Sequence, residues 1–333
     1  MKSVSIIVPI YNAEAFIKRC FDNICAQTYS HSDIECIFVN DGSTDQSENF
    51  AQTLISSNQT DIRFLLVSHD HNRGVSAARN TGIDAAKNTY IYFMDADDTI
   101  TPDCIQMLVE ATETYPDADV ICGNSITKKS GLYHHDTTKA FTSTGKVQNL
   151  HDTLLFIYAS YPYNKLVAKN FLLEHQLYFP LGIPYFEDLH WNIDLARHCH
   201  TMTYLPQVTY IYEDVSTSVM GMSTRRANTV ATCYMSLIEK GHCLNEPDNI
   251  IEIHLFIFFY VMKLLTMEHF NSVDRHNIKK ARRLLISQSI IIRKPLLFLY
   301  DLQLYQPLRW LSELKFLKNR SVGLRLWICR KCK

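Results

Sequence analysis

The chain has 333 residues, enough for one large domain or two, and 47% of them are hydrophobic, which supports a substantial buried core. A charged fraction of 20% and a net charge of −1 exclude a chain that is intrinsically disordered throughout. The balance hides an asymmetry: residues 279–333 carry 14 Lys/Arg against two acids, a net +12, which leaves −13 for the rest.

A basic end of this kind suits an anionic partner, either membrane or nucleic acid. Met1-Lys2-Ser3 leads straight into a strand-like run, so no signal peptide is expected, and no apolar stretch reaches the length of a membrane span. The ten cysteines lack a framework spacing and are expected to be free thiols of a cytosolic protein. The lone C-x-x-C of Cys329 and Cys332 has no second pair with which to hold zinc.

Taken in order, Val4–Asn12 is an apolar strand closed by Pro9 and Asn12. Ile17, Cys20, Phe21 and Ile24 then recur at helical spacing. Ile34–Val39 is a second strand, ended by Asn40-Asp41-Gly42-Ser43-Thr44-Asp45, which is turn chemistry followed by a helix cap. A third strand, Ile62–Val67, leads into His71-Asn72-Arg73-Gly74. The helix expected over Gly74–Ala86 is built of small residues (Ala77, Ala78, Gly82, Ala85, Ala86) that allow close approach to a sheet. Tyr90–Met94 is a fourth strand and ends abruptly in Asp95-Ala96-Asp97-Asp98; a helix from about Pro102 to Tyr115 and a strand at Asp119–Cys122 follow. Strands alternating with helices at this spacing imply right-handed β-α-β units and a mostly parallel sheet. Residues 123–147 are polar and read as a hairpin or loop. Beyond them Tyr158, Tyr161, Tyr163, Tyr178, Tyr185, Phe186 and Trp191 suit a pocket as well as a core, and from about Ala227 the pattern is helical.

Each polar cluster in the first half follows a strand. Tyr11-Asn12, Asp41, Arg73 and Asp95-Asp97 therefore collect along one edge of the sheet, where open α/β sheets bind ligands. Three carboxylates within four residues repel one another, and a divalent cation relieves that repulsion. The competing reading is a solvated acidic turn with Asp98 or Thr99 capping the next helix; the convergence of four clusters favours a nucleotide or metal site. Glu187-Asp188 opens a further helix, expected over Leu189–Arg197. His198 and His200 flank Cys199 on a stretch better suited to packing than to metal.

Four motifs in this order and spacing resemble the inverting glycosyltransferases of family 2: Val8-Pro9-Ile10-Tyr11-Asn12; Asn40–Asp45; Asn72-Arg73-Gly74 with Ala77-Ala78-Arg79-Asn80-Thr81-Gly82; and Asp95–Asp98. They cover residues 4–122, and Glu187-Asp188 extends the resemblance to about 215. The resemblance implies an α/β GT-A fold, a Rossmann-like and mostly parallel sheet with flanking helices. Residues 1–122 would form the nucleotide-binding half and 123–215 the acceptor half, with a helical, basic region at 216–333. It also implies nucleotide-sugar contacts at Pro9, Tyr11, Asn12, Asp41, Arg73, Asp95, Ala96 and Lys165. Asp41 would accept the uracil imide proton, since a carboxylate is a pure acceptor. The fork of Arg73 suits phosphate or carbonyl oxygens. Asp97, with Asp95, would hold Mn²⁺ or Mg²⁺, which offsets charge on the departing diphosphate. Asp188 would be the general base toward the acceptor hydroxyl and Glu187 its neighbour.

One departure stands out. After Tyr210-Ile211-Tyr212 the resemblance leads one to expect an arginine on the diphosphate, yet Glu213-Asp214 follow, with Arg225-Arg226 as substitutes. The Gln-x-x-Arg-Trp signature of processive polymerases is absent. The implied activity is transfer of one hexose or N-acetylhexosamine from a UDP-sugar to a glycan or lipid-linked acceptor, with inversion. Its implied setting is bacterial surface-polysaccharide assembly (capsule, lipooligosaccharide or O-antigen), at the cytoplasmic face of the cell membrane. The tail interleaves Lys and Arg with Trp310, Trp327 and leucines, which suits an anionic bilayer better than nucleic acid. A bundle packed on the catalytic domain, or a homodimer, is the other use of its apolar residues. Two further classes fit parts of the chain. Asp95-x-Asp97-x-Thr99 also matches the haloacid-dehalogenase-type phosphatases, although there the motif belongs on the first strand; and a non-catalytic nucleotide- or glycan-binding module would keep the same fold.

Overall fold

The structure, a computed structural model, describes residues 2–128, 132–133, 141–144, 161–183 and 187–213. The acidic, aromatic and basic features placed by sequence at 151–160, 184–186 and 214–333, including Tyr158, Tyr185, Phe186, Arg225-Arg226 and the tail, lie outside these residues.

β1 (Val4–Ile10), β2 (Ile34–Asn40), β3 (Arg63–Ser68) and β4 (Tyr90–Phe93) lie in the order β3-β2-β1-β4, all parallel. Crossovers run through α1 (Glu14–Cys25), α2 (Ser47–Ser56) and α3 (Val75–Ala85). β1 and β2 are near-continuous apolar runs because both of their faces are covered. Alternate residues of β1 serve different clusters. Ile6 and Val8 pack with Ile17, Cys20 and Phe21 of α1, whereas Ile7 packs with Ala78 and Ile83 of α3. The small residues of α3 have a steric reason: a Cβ on Gly82 would lie 2.3 Å from Cγ2 of Ile7.

Past β4 the sheet becomes mixed. β9 (Lys165–Ala168) runs antiparallel between β4 and β6 (Val120–Thr127). β10 (Thr201–Tyr212) lies parallel to β6 and pairs antiparallel with β5 (Thr99–Ile100) and β8 (Phe141–Thr144). β7 (Leu132–Tyr133) returns against β6, so the segment read as hairpin or loop contains a hairpin, and β6 runs past the expected end at Cys122. The sequence reading did not mark β5, β9 or β10 as strands. β5 and β9 are short, and β10 changes register against β6 between Tyr204 and Val208, around Pro206. The remaining helices are α4 (Cys104–Thr114), α5 (Lys169–Glu174) and α6 (Glu187–His198). Among the described residues no helix is long and apolar enough to cross a membrane.

Gly123 marks the point where β6, β9 and β10 meet. Asn164, with φ 67°, donates Nδ2–H to the Gly123 carbonyl (2.5 Å) and accepts from Thr209 Oγ1 (2.5 Å). A Cβ on Gly123 would stand 1.9 Å from Thr209 Oγ1 and 2.7 Å from Asn164 Oδ1. Gly123→Ala is therefore expected to cost about 1–3 kcal/mol by overpacking, seen as a lower urea midpoint at unchanged slope. A wild-type midpoint would show that these three strands do not cross as described.

Candidate active site

The loops after β1 and β2 interlock before either could meet a ligand. Asn12, with φ 49°, accepts from Thr44 N–H through Oδ1 (2.8 Å), and its own N–H donates to Ser43 Oγ (3.0 Å). Ala13 N–H donates to Ser47 Oγ (2.8 Å). Asn12 thus braces the two loops, with the exposed ring of Tyr11 beside it. Pro9 sits within β1 opposite Val39.

Asp41 is buried at the end of β2. Its Oδ1 accepts from Arg73 N–H (2.8 Å) and from His69 Nδ1–H (2.7 Å), and its Oδ2 accepts from Gly74 N–H (2.8 Å). The far nitrogen of His69 meets Thr81 Oγ1 at 2.9 Å, which orients the ring. Asp41 therefore ties the turn carrying Arg73 to the sheet edge. Three of its roughly four lone-pair positions are used. The Arg73 side chain is exposed beside it.

Asp95–Asp98 turn between β4 and β5, held from two sides. From α1, Asn23 pairs with both the N–H (2.7 Å) and the carbonyl (2.9 Å) of Ile100, and Arg19 Nη2–H donates to the Asp97 carbonyl. From β10, the Tyr210 hydroxyl accepts Asp95 N–H (3.3 Å) and donates to Asp98 Oδ2 (2.5 Å), while Glu213 N–H donates to Asp98 Oδ1 (2.9 Å). Asp98 is fully buried and is the structural member of the trio, not a helix cap; burial, then Asp95, raises it well above the carboxylate range. Ala96 is buried between Asp95 and Asp97, which are part-exposed. Burial, then the charge of Asp95, pushes Asp97 upward as well. A cation shared by these two carboxylates would relieve that strain, so the pair fits a hard divalent ion. Among the described residues no group of three or more His, Cys, Asp or Glu forms a metal cluster.

The acid pair of α6 is brought to this turn by packing. Trp191, one turn on from Glu187 and Asp188, is fully buried; it stacks on Phe179 (4.8 Å, 8°) and meets Phe93 of β4 edge-on (5.6 Å, 83°). Its Nε1–H donates to the Leu177 carbonyl (2.9 Å). Asn80 of α3 locks the same block by donating to the Phe179 carbonyl (2.8 Å) and accepting Phe179 N–H (2.8 Å). Arg79, 5% exposed, lies over the Phe179 ring (5.2 Å); it pairs through Nη2 with Asp95 (3.0 Å) and through Nη1 with Glu187 (3.2 Å). Burial pulls the Arg79 pKa down, but Asp95 and Glu187 outweigh it and leave it raised. Asp188 lies within electrostatic reach of both Arg79 and the buried Lys165.

The structure thus gathers Asp95, Asp97, Glu187, Asp188 and Lys165 on one side, with Asp41, Arg73, Tyr11 and Asn12 on the loops after β1–β3. Sequence reasoning quoted Arg79 and Asn80 within a motif but gave them no role. The signal was there: an arginine among alanines on a sheet-facing helix needs a buried carboxylate. Tyr210 and His69 carried no such signal. His198 and His200 do not form a site; His198 donates Nδ1–H to the Asp194 carbonyl (2.8 Å) and packs on His175. In place of the expected arginine, Glu213 pairs with Lys128 (2.8 Å).

Fold and site together define a GT-A, nucleotide-diphospho-sugar-type transferase architecture. Glycosyl transferase family 2 matches residues 5–171, and the chain belongs to that family; this sets aside the phosphatase alternative. EpsJ of Bacillus subtilis, an uncharacterized glycosyltransferase, is 34% identical over 218 residues, 63% of this chain and 61% of that protein. The glycosyltransferase GlyA of Streptococcus pneumoniae is 34% identical over 158 residues, 45% of this chain and 22% of that protein. The chain therefore matches less than two thirds of the length of either relative. Among solved structures, S. aureus TarS 1–349 in complex with UDP-GlcNAc superposes with a TM-score of 0.66 at 17% identity, covering 86% of this chain and 81% of that one. The mannosyltransferase PcManGT from Pyrobaculum calidifontis, in complex with GDP-Man and Mn²⁺, gives 0.55 at 18% identity, covering 93% and 82%. Identities this low speak for the fold alone.

Lys165 yields a pH prediction. Burial lowers its pKa from 10.5 to about 8. Between those values the folded state binds fewer protons than the unfolded state, so this group's contribution to stability rises with pH from about 8 to 10.5 and is least favourable below 8. Lys165→Met removes that slope. Urea midpoints at pH 7.5 and about pH 9.5 should therefore show the wild type gaining on the variant as pH rises. An unchanging difference would mean that Lys165 is solvated.

Proposed function

We propose that this chain is an inverting, metal-dependent glycosyltransferase. It moves a single hexose or N-acetylhexosamine from a UDP-sugar to a glycan or lipid-linked glycan acceptor. The observation that carries this reading is the joining of two acid groups at one sheet edge: Asp95 and Asp97 at the end of β4, and Glu187 and Asp188 at the start of α6, bridged by Arg79. The first group suits a donor diphosphate with its cation, and the second suits an acceptor hydroxyl.

In this reading the uracil N–H takes the remaining lone pair of Asp41, the base rests against Tyr11, and Arg73 and Ala96 line the nucleotide. Asp97, with Asp95, would hold Mn²⁺ or Mg²⁺, which when bound offsets charge on the leaving diphosphate. The acceptor oxygen attacks the anomeric carbon from the face opposite the leaving group. Its proton passes to Asp188. The bond from the anomeric carbon to the β-phosphate oxygen breaks, and its electron pair leaves with UDP, so one displacement inverts the centre. Lys165 lies near enough to Asp188 to hold it ionised before attack. A nucleotide-sugar donor is supported by neighbours solved with UDP-GlcNAc and with GDP-Man and Mn²⁺. A role in bacterial surface-polysaccharide assembly, at the inner face of the cell membrane, is supported by the tail at 279–333, whose +12 charge among Trp and Leu suits anionic lipid. Co-sedimentation of the full chain with anionic vesicles, weakening as salt rises, tests that part; no binding at low salt would leave the tail to a homodimer or bundle.

Two substitutions test the chemistry. Asp97→Ala, like EDTA, should abolish transfer and the gain in thermal stability that a UDP-sugar gives with Mn²⁺. Asp188→Asn should lower turnover roughly 10²–10⁴-fold while donor affinity, measured by calorimetry, stays near wild type. Full activity in EDTA sinks the metal assignment. Donor binding without transfer to any of a broad acceptor panel would favour a binding module.

A further inference from the structure

We propose that Arg79 is the positioning residue that divides labour within the acid pair of α6: by bridging Asp95 and Glu187 it fixes the first turn of the helix and leaves Asp188 as the proton acceptor. This rests on the reading of Asp188 as the general base.

Three elements, one of them 108 residues further on, meet on one guanidinium. Arg79 belongs to α3, Asp95 ends β4, and Glu187 opens α6. The two terminal nitrogens serve different carboxylates, Nη2 to Asp95 at 3.0 Å and Nη1 to Glu187 at 3.2 Å. A lysine offers one point charge and cannot reproduce that fork. The guanidinium is itself held. It lies over Phe179, whose backbone is pinned by Asn80 in both directions and whose ring stacks on Trp191. A side chain 5% exposed is little screened by salt or water. Loss of Arg79 would leave two carboxylates facing each other without their cation, and α6 would lose its tie to the donor strand.

The arrangement also separates the neighbours chemically. The Glu187 carboxylate is committed to the Arg79 pair. Asp188 is the adjacent carboxylate, and Arg79 on α3 and Lys165 on β9 are among the charges that act on it. Arg79 thus serves the donor end through Asp95 and the acceptor end through the geometry and charge around Asp188. A packing residue alone would not set the pH at which the base works.

The test compares Arg79→Met, Arg79→Lys, Glu187→Gln and the double variant R79M/E187Q with Asp188→Asn, in transfer kinetics across pH, with UDP–Mn²⁺ binding by calorimetry. Arg79→Met should lower kcat on the order of 10²-fold and move the acidic limb of kcat/KM to higher pH, because a cation near the base is gone. Arg79→Lys should not restore kcat. Glu187→Gln should move the limb to lower pH, because an anion near the base is gone. The double variant should bring the limb back toward wild type. If Arg79→Met does not fold, Glu187→Gln still carries the test, since it removes the charge at nearly constant volume. An unmoved limb in Glu187→Gln, with Asp188→Asn inactive, overturns the role of Arg79 alone. A fully active Asp188→Asn overturns the base assignment and this proposal with it.

Discussion

Like-charge repulsion at the end of β4 is the constraint that shapes this molecule. Asp95, Asp97 and Asp98 follow one another within four residues, and Glu187 and Asp188 are folded onto them from nearly a hundred residues away. Water would screen that charge, but Asp98 is buried and Asp97 half-buried. Each carboxylate is given a different solution. Asp98 accepts hydrogen bonds from Tyr210 and Glu213, while burial, then Asp95, raises its pKa; Asp95 and Glu187 share a guanidinium; Asp188 has Lys165 near it. Asp97 is compensated only by a backbone hydrogen bond and then by the charge of Arg19, too little to offset burial and Asp95, and it is the position that most favours an added cation.

The apolar core serves this arrangement by fixing distances. Phe93 of β4, Phe179 and Trp191 of α6 form one aromatic block, so a shift of α6 relative to the donor strand would break ring contacts as well as the ion pair. On the other side, Tyr161, Tyr163 and Tyr210 stack with centroids 4.8 and 4.0 Å apart, and Tyr210 carries that stack to the Asp95–Asp98 turn through its hydroxyl. The turn is thus clamped between a strand and two aromatic groups. Catalytic groups set on strand ends and a helix start, not on long loops, are held more tightly in position.

Much of this was legible in the chain. The parallel half could be read because β1 to β4 are continuous apolar runs, each ended by a polar cluster. The acids proposed for metal and base could be picked out because they stand in unbroken motifs. What stayed hidden was non-local. β9 is four residues long and owes its place to Asn164, whose left-handed backbone and side-chain bonds to Gly123 and Thr209 have no local signature. β10 hides its period at Pro206. Asp41 was legible as a polar turn residue beside a strand, yet its three protein donors come from His69, Arg73 and Gly74, a turn about thirty residues further on. Pairings of that kind are a property of the fold and cannot be read from one segment.

The departure at Glu213 takes on a physical meaning in this frame. Where the resemblance leads one to expect a cation facing the diphosphate, this chain has an acid, and that acid is occupied. Its N–H caps Asp98, and its carboxylate pairs with Lys128 at the end of β6. Glu213 therefore contributes through its backbone, by holding the turn that carries Asp97. Arg73 is exposed beside Asp41, and Arg19 donates to the Asp97 carbonyl. With the side-chain cation missing at this position, a divalent ion on Asp97 would carry a larger share of the charge that develops as the nucleotide departs.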